Sequence, residues 1–532
     1  MLPGPESVPK RSVVGAESFH GVRRGWPAQT LGCLRGREAW LVKAPLYRKV
    51  DFLKGPRYRK VMPLSLDQIS RLNPWWTDPA WGPGDDVHLS AAAESPFAWD
   101  PRPFDAQDIE SGSVFTLRGP RQSGKTTLTK RLIAERVRAG LARRTCFLTL
   151  QTISVQDELQ EAIETALRLW PDEKGSWLFV LDELTFVRGW ANVVAHLHEH
   201  DRDFRRATVI LTGSSAHDLT DSAGILHGRR GPSKRILDRL HAPMTFRDYV
   251  AARAPQAVPA DLLRLEDLLS PQGRQVVAVA SLRTAELTQY LGEYSLCGGL
   301  PAPVRDMLQD RQVAEATTLA LWRGLAADIR KLERNETRLE KLLARMVVGL
   351  ASLTNLSDVA RDMDVTKPTA SSYLDLLAQS FALMVLHQRD TKRQGGPSLT
   401  KPRKLYFGDP AFALIPSVLA PGGPVASLPD LVENLLAIAL FRHAERDALE
   451  RFREPQRLFL WRSSDGREID FVTPIGDGTL ALESKFGRRV DGKDYESIEK
   501  AFGSGVMVSQ QTVITDRKIL TVPAGVLLVL LG

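Results

Sequence analysis

The sequence predicts an α/β fold built on a parallel sheet. Three observations carry that reading. Short apolar strands alternate with amphipathic helical stretches from Ser113 onward. A glycine-bounded segment, 119–126, lies between one such strand and one such helix. A continuous apolar run, 177–181, ends in Asp182 and Glu183, as a strand buried on both faces of a parallel sheet would.

Residues 113–117 read as a strand and 127–139 as a helix closed by Gly140. Between them stands Gly119-Pro120-Arg121-Gln122-Ser123-Gly124-Lys125-Thr126, followed by Thr127. This is G-x-x-x-x-G-K-T in its strand–loop–helix context, the P-loop of an NTPase. Its glycines let the main chain curl so that N–H groups face phosphate oxygens, and the helix N-terminus adds about half a positive charge. Lys125 would reach the β/γ-phosphates and the Thr126 hydroxyl would ligate Mg²⁺. Asp182 would hold the same Mg²⁺ through water, and Glu183 would act as general base, so hydrolysis is expected rather than binding alone. Strand 145–150 continues the alternation. Strand 207–211 ends in Thr212-Gly213-Ser214-Ser215, where Thr212 and Ser214 are sensor candidates against plain turn chemistry. Gly228-Arg229-Arg230-Gly231 offers Arg229 as a charge neutraliser for the γ-phosphate, in this copy of the chain or a neighbouring one.

Residues 336–387 read as helices: 340–351, then 356–360, a turn at Met363-Asp364-Val365, and 366–379 with Pro368 in its first turn. Helix, short turn, helix predicts a helix-turn-helix. Strands 381–387 and 404–407 flank a polar loop with Arg389, Lys392, Arg393, Lys401 and Arg403, a two-stranded wing. Thr366, Lys367, Thr369, Ser371 and Ser372 would face DNA in such a winged helix. The same module can serve only to bind a protein.

The ordered set resembles a known family. Gly119–Thr126, Leu181-Asp182-Glu183, Thr212–Ser215, Gly228-Arg229 and Pro243-Met244-Thr245-Phe246-Arg247-Asp248-Tyr249 occur in its order. So do Tyr294-Ser295-Leu296-Cys297-Gly298-Gly299-Leu300-Pro301 and, upstream, Asn73-Pro74-Trp75-Trp76. The family is the prokaryotic AAA-type P-loop ATPases carrying a C-terminal domain of unknown function with a restriction-endonuclease-like end. The resemblance covers Met62 to the C-terminus and implies ATP as the nucleotide, a helical lid after the core, and the winged helix. Leu184-Thr185 follows Asp-Glu where many relatives have Ile-Gln.

Residues 409–532 resemble the PD-(D/E)xK nuclease fold. Strands 458–461, 468–473 and 480–486 carry Asp470, Glu483 and Lys485 in the pattern D-x₁₂-E-x-K, and Glu433 lies on a long helix as an accessory carboxylate. Asp470 and Glu483 would share a Mg²⁺ while Lys485 steadies a hydroxide or phosphate. Ile469 stands where the motif has proline. A domain that lost catalysis and kept the fold is the other reading.

Charge and composition set the remaining bounds. Residues 1–62 hold 13 Lys and Arg against 4 Asp and Glu, and the remainder holds 58 against 59. The net charge of +8 thus belongs to a Gly- and Pro-rich basic extension, read as disordered. The three cysteines have neither metal nor disulfide spacing. No secretory segment and no run near ~18 apolar residues occur, so a cytoplasmic protein without a membrane span is expected, and 526–531 reads as a short buried strand. The division is 1–62 extension, 63–110 lead-in, 111–250 P-loop core, 251–335 helical lid, 336–408 winged helix, and 409–532 nuclease-like domain. The expected partners are ATP with Mg²⁺, then DNA or a protein, with a homo-oligomer suggested by the arginines. Three functions stay open: an ATPase coupling nucleotide state to a DNA-binding or nuclease-like C-terminal half, an ATP-dependent signalling switch that binds a protein partner and keeps an inactive nuclease-like fold, or a nuclease in which ATP only gates access.

Overall fold

The structure is a computed structural model. It describes residues 64–532 except 154, 172, 185–186, 214–224, 227, 234, 332–333, 391–394 and 447–454, and except the side chains of 152 and 331. The basic extension, Thr185, Ser214, Ser215, Lys392 and Arg393 therefore lie outside the described residues.

The first sheet is wholly parallel. Its strands are β1 (Val114–Arg118), β2 (Thr145–Thr149), β3 (Leu178–Asp182), β4 (Thr208–Gly213) and β5 (Asp238–Leu240), in the order β2-β3-β4-β1-β5. Phe115, Leu117 and all of 178–181 are inaccessible to solvent because helices cover both faces. Arg118 pairs with Gly213 and Thr149 with Asp182. The loops after β1, β3 and β4 therefore leave the sheet at one edge, where such sheets bind ligands.

The lead-in closes an exposed sheet edge. Among the described residues no strand pairs with the outer side of β2. Asn73 supplies what a further strand would: its Oδ1 accepts from the Phe147 N–H (2.6 Å) and its Nδ2 donates to the Phe147 carbonyl (3.0 Å). The Trp75 and Trp76 ring N–H groups donate to the Thr145 carbonyl at 2.9 and 2.8 Å. An unpaired edge invites aggregation, and this phrase blocks it.

Beyond the sheet the chain is helical through Phe246–Arg253, Pro271–Ala280, Thr284–Cys297, Pro301–Asp310 and Glu315–Lys331. The next helix, Glu336–Val348, starts earlier than its apolar spacing suggested, because Asn335 caps it by accepting from the Thr337 and Arg338 N–H groups. Helices Leu356–Asp362 and Lys367–Gln379 follow, Thr366 capping the second. Strand β6 (Leu383–Leu386) then pairs antiparallel with β9 (Lys404–Phe407), and Thr354 bridges Arg403.

The hairpin between them does not project as a free wing. It forms β7 (Gln388–Arg389) and β8 (Pro397–Ser398), and β7 adds in parallel to β10 (Phe459–Arg462). The C-terminal sheet is mixed, with β11 (Glu468–Ile475), β12 (Gly478–Ser484), β13 (Gly505–Ser509) and β14 (Ile519–Pro523), in the order β14-β13-β12-β11-β10-β7-β8.

Residues 526–531 are not a strand. They belong to the helix Ala524–Leu531, buried on every side against helices Thr284–Cys297 and Leu428–Ala444. An all-apolar run has no period that separates buried helix from buried strand. Its packing also merges the C-terminal sheet and the preceding helices into one apolar core spanning 244–531, while a second core spans 69–226. Phe246, Tyr249 and Val250, which close the P-loop core in the division at 250, are buried in the C-terminal core. Among the described residues no helix is long and apolar enough to cross a membrane, and Cys146 and Cys297 are buried free thiols.

Candidate functional site

The 119–126 loop wraps the start of helix Lys125–Arg138. Gly124 caps that helix with φ +95° and offers no side-chain cap, leaving the first-turn N–H groups for a ligand. A Cβ on Gly119 would lie 2.3 Å from the His241 carbonyl, so only glycine lets the loop pass there. The buried Lys125 Nζ donates to the carbonyls of Gly119 (3.0 Å) and Pro120 (2.8 Å). Burial pulls its ammonium down to about 8, against the opposing pull of Glu183 and Asp182. Ser123 Oγ is buried with no partner among the described residues.

The acidic strand end meets this loop. Thr126 Oγ1 donates to Asp182 Oδ2 at 3.0 Å. Thr212 Oγ1 donates to Asp182 Oδ1 and accepts from the Glu183 N–H at 3.3 Å. Thr212 thus lies behind the acid pair and positions both members. Glu183, with φ +61°, lines a cavity of about 700 Å³ together with Arg121, Gln122, Gly124, Lys125, Thr126 and Thr127. The lead-in supplies the apolar wall through Val87, Phe97 and Trp99, and Pro301, Ala302, Arg305 and Gly324 enter from the helical segment. A volume of this order suits a drug-sized or cofactor-sized ligand. The unpartnered Ser123 hydroxyl, the uncapped helix start, the lysine and the Thr126–Asp182 pair fit a nucleoside triphosphate with Mg²⁺.

Arg229 is not brought to this cavity in its own chain. The Arg230 carbonyl accepts from Val114 N–H at the start of β1, opposite the loop, and Arg229 pairs with Glu199 there. The physical reason is direction: segment 228–231 feeds β5 from the amino edge of the sheet, whereas phosphate ligands gather at the carboxyl edge.

Several residues that shape the site carry no motif in the sequence. Arg121 makes a two-pronged ion pair with Asp328 (3.0 and 2.5 Å), and Gln122 donates to the Ala320 carbonyl at 3.2 Å, so helix Glu315–Lys331 holds the loop tip. His241 Nε2 donates to the Ser123 carbonyl at 2.7 Å, and its ring stacks on Trp99. Burial and the neighbouring Lys125 charge lower His241 to about 4. Sequence reasoning did not single out His241.

That histidine yields a pH prediction. In the unfolded chain His241 titrates near 6.5. Between pH 6.5 and 4 the unfolded chain takes up a proton that the folded chain refuses, so folding stability falls as pH falls through that window. Urea unfolding at pH 7.5 and 5.5 should show the wild type losing about 1 kcal/mol more than His241→Gln; equal losses would contradict a neutral buried ring.

A second junction connects this site to the C-terminal half. The Gly299 N–H donates to Asp409 Oδ2 (2.8 Å), the Met244 N–H donates to the Gly299 carbonyl (2.8 Å), and Tyr294 OH donates to the Met244 carbonyl (2.6 Å). Burial raises Asp409 to about 6. Arg442, on helix Leu428–Ala444, donates to the Pro243 carbonyl at 2.7 Å, two residues from His241.

The C-terminal carboxylates also converge. Asp470 on β11 faces Glu483 on β12, its N–H donating to Glu483 Oε2 at 3.2 Å, and Glu433 approaches from helix Leu428–Ala444. Lys485 pairs with Glu483. Lys404, which sequence reasoning did not single out, enters from β9 with its Nζ 3.0 Å from Glu433, 3.0 Å from Glu468 and 2.7 Å from Asp470. Burial, reinforced by Asp470, pushes Glu433 and Glu483 up. The Mg²⁺ expected on Asp470 and Glu483 does not fit this donor set: among the described residues no group of three or more His, Cys, Asp or Glu is placed to hold a metal, and the facing oxygens are already spent on ammonium and N–H donors.

Of the basic residues expected on the wing, Arg389 donates to Thr479 Oγ1 at 3.0 Å. Thr366 and Lys367 are exposed at the start of helix Lys367–Gln379, while Ser372 accepts from Arg334.

Comparison with known proteins agrees with the geometry of the first site. Residues 111–250 match the AAA domain family, and residues 288–417 match a domain of unknown function, DUF8612. No curated protein matches the chain. Among solved structures, the Walker-type ATPase PABY2304 of Pyrococcus abyssi is 13% identical, with 67% of this chain and 98% of that chain covered and a TM-score of 0.35. The Orc1 protein of Aeropyrum pernix in complex with DNA is 12% identical, covering 58% of this chain and 87% of that one, with a TM-score of 0.26. The parallel sheet, the loop with its lysine and the acid pair beside it, taken with the family match, make residues 111–250 a P-loop ATPase domain of the AAA type.

Proposed function

We propose that the chain is an ATP-hydrolysing switch whose nucleotide state is transmitted to a C-terminal half built from a winged helix and a nuclease-like fold. One observation carries this reading: groups that bind and activate a triphosphate share a cavity with Pro301, Ala302, Arg305 and Gly324 of the helical segment. Lys125 and the loop N–H groups would bind the phosphates, and Thr126 with Asp182 would hold Mg²⁺. The ion's part is to neutralise charge developing on the phosphate oxygens. Glu183 would take a proton from the attacking water, with Thr212 fixing the acid pair. A change at the loop reaches the C-terminal half through Arg121–Asp328 and through His241 and Pro243 to Arg442.

Glu183→Gln tests the chemistry. It should retain ATP binding and lower turnover by about 10²–10⁴-fold, the usual worth of a general base. Retained turnover would refute the assignment.

For the partner, the exposed Thr366 and Lys367 favour DNA, whereas the docked hairpin favours a protein. ATP turnover measured with duplex, nicked and single-stranded DNA separates them. Stimulation that falls steeply with salt supports DNA; indifference to every form supports a protein partner.

A further inference from the structure

We infer that Lys404 is the resident cation of the C-terminal carboxylate cluster, standing where a nuclease of this pattern would hold a divalent metal. The lysine's side chain is 2% exposed. An ammonium has three N–H donors, and three carboxylates from two elements, Glu433 on the helix and Glu468 and Asp470 on β11, are spaced to accept them. Further donors crowd the same oxygens and their neighbours. Tyr406 OH donates to the same Glu433 oxygen at 2.7 Å, and the Ser484 N–H donates to Asp470 Oδ2 at 2.8 Å. Glu483 is held by Lys485 and the Asp470 N–H. Mg²⁺ needs oxygens at 2.0–2.1 Å and keeps several waters; this pocket offers neither the oxygens nor the room while Nζ sits among them.

The source of the lysine gives it a second consequence. Lys404 and Tyr406 come from β9, the strand paired with β6, so the cation that neutralises the cluster also fastens that hairpin to the C-terminal sheet. Parting the lysine from these carboxylates would leave uncompensated buried charge, so the junction resists opening. The cluster is then a structural lock, and the C-terminal half keeps a nuclease-like pattern without a metal-dependent cutting site.

The test counts metal ions and does not depend on activity. Nucleotide-free wild-type protein titrated with Mn²⁺ and followed by electron paramagnetic resonance should bind as many ions as Asp470→Asn. Lys404→Ala should gain one ion, and Lys404→Ala with Asp470→Asn should lose it again. A wild-type ion that vanishes in Asp470→Asn overturns the inference, as does a folded Lys404→Ala protein that gains none. Should Lys404→Ala fail to fold, iron-mediated backbone cleavage of the wild type decides: cuts beside Asp470 and Glu483 overturn the inference, and their absence while the chain is cut near Thr126 and Asp182 supports it.

Discussion

Lys125→Ala is expected to lower ATP turnover by about 10²–10³-fold, the loss seen when one preorganised donor to a developing oxyanion is removed. The ammonium is buried, aimed at the loop's own carbonyls, and flanked by Asp182 and Glu183. Nucleotide affinity should fall as well, because the lysine is the loop's only cation that faces inward with a flexible stem; Arg121 is committed to Asp328. The fold should survive. The loop keeps its Gln122 bond to Ala320 and its Ser123 bond to His241. Steady-state turnover together with a thermal melt checks this. Turnover near the wild-type rate would refute the site, and a collapsed melt would reassign the lysine to structure.

Gly299→Ala should cost several kcal/mol of stability for one added methyl group. A Cβ there would lie 2.1 Å from the Met244 carbonyl and 2.8 Å from its nitrogen, both main-chain atoms that cannot swing aside. The bond from Met244 N–H to the Gly299 carbonyl and the bond from Gly299 N–H to Asp409 would both be strained. Overpacking costs about 1–3 kcal/mol, and each weakened hydrogen bond adds about 0.5–1.5 kcal/mol. A denaturant midpoint unchanged from wild type would contradict the packing described. The same variant should loosen the link between ATP turnover and the C-terminal half, since 298–301 touches Met244 on one side and Asp409 on the other.

The two readings of the carboxylate cluster separate cleanly in such experiments. Metal binding at Asp470 would make the C-terminal half a candidate cutting domain, whereas a cluster that takes no metal would leave it without a metal-dependent cutting site. The docked β7–β8 hairpin points the same way, because a wing paired to β10 is not free to enter a groove.

Local sequence was enough to place the phosphate loop, its strand and helix, and the acid pair, because each depends on neighbours in the chain: glycines for the curl, a lysine and a threonine at fixed offsets, and an apolar run ending in carboxylates. The D-x₁₂-E-x-K pattern and its resemblance also pointed to Glu433, Asp470, Glu483 and Lys485, of which Glu483 and Lys485 are two residues apart at the end of one strand. Spacing could not assign the helix at 524–531, where no polar residue marks a face, nor the parallel strands β13 and β14, whose partners are distant in the chain.

What the chain order alone determined, then, is the chemistry of the first site, since that chemistry is written in contiguous residues. Only the tertiary structure decided that Asp328 and His241 brace the loop, that Arg229 lies at the far edge of the sheet, and that Lys404 sits among three carboxylates. Each of those is a meeting of side chains from separate elements, fixed by how two apolar cores pack and by the direction in which each strand runs, and neither is recorded in any local pattern.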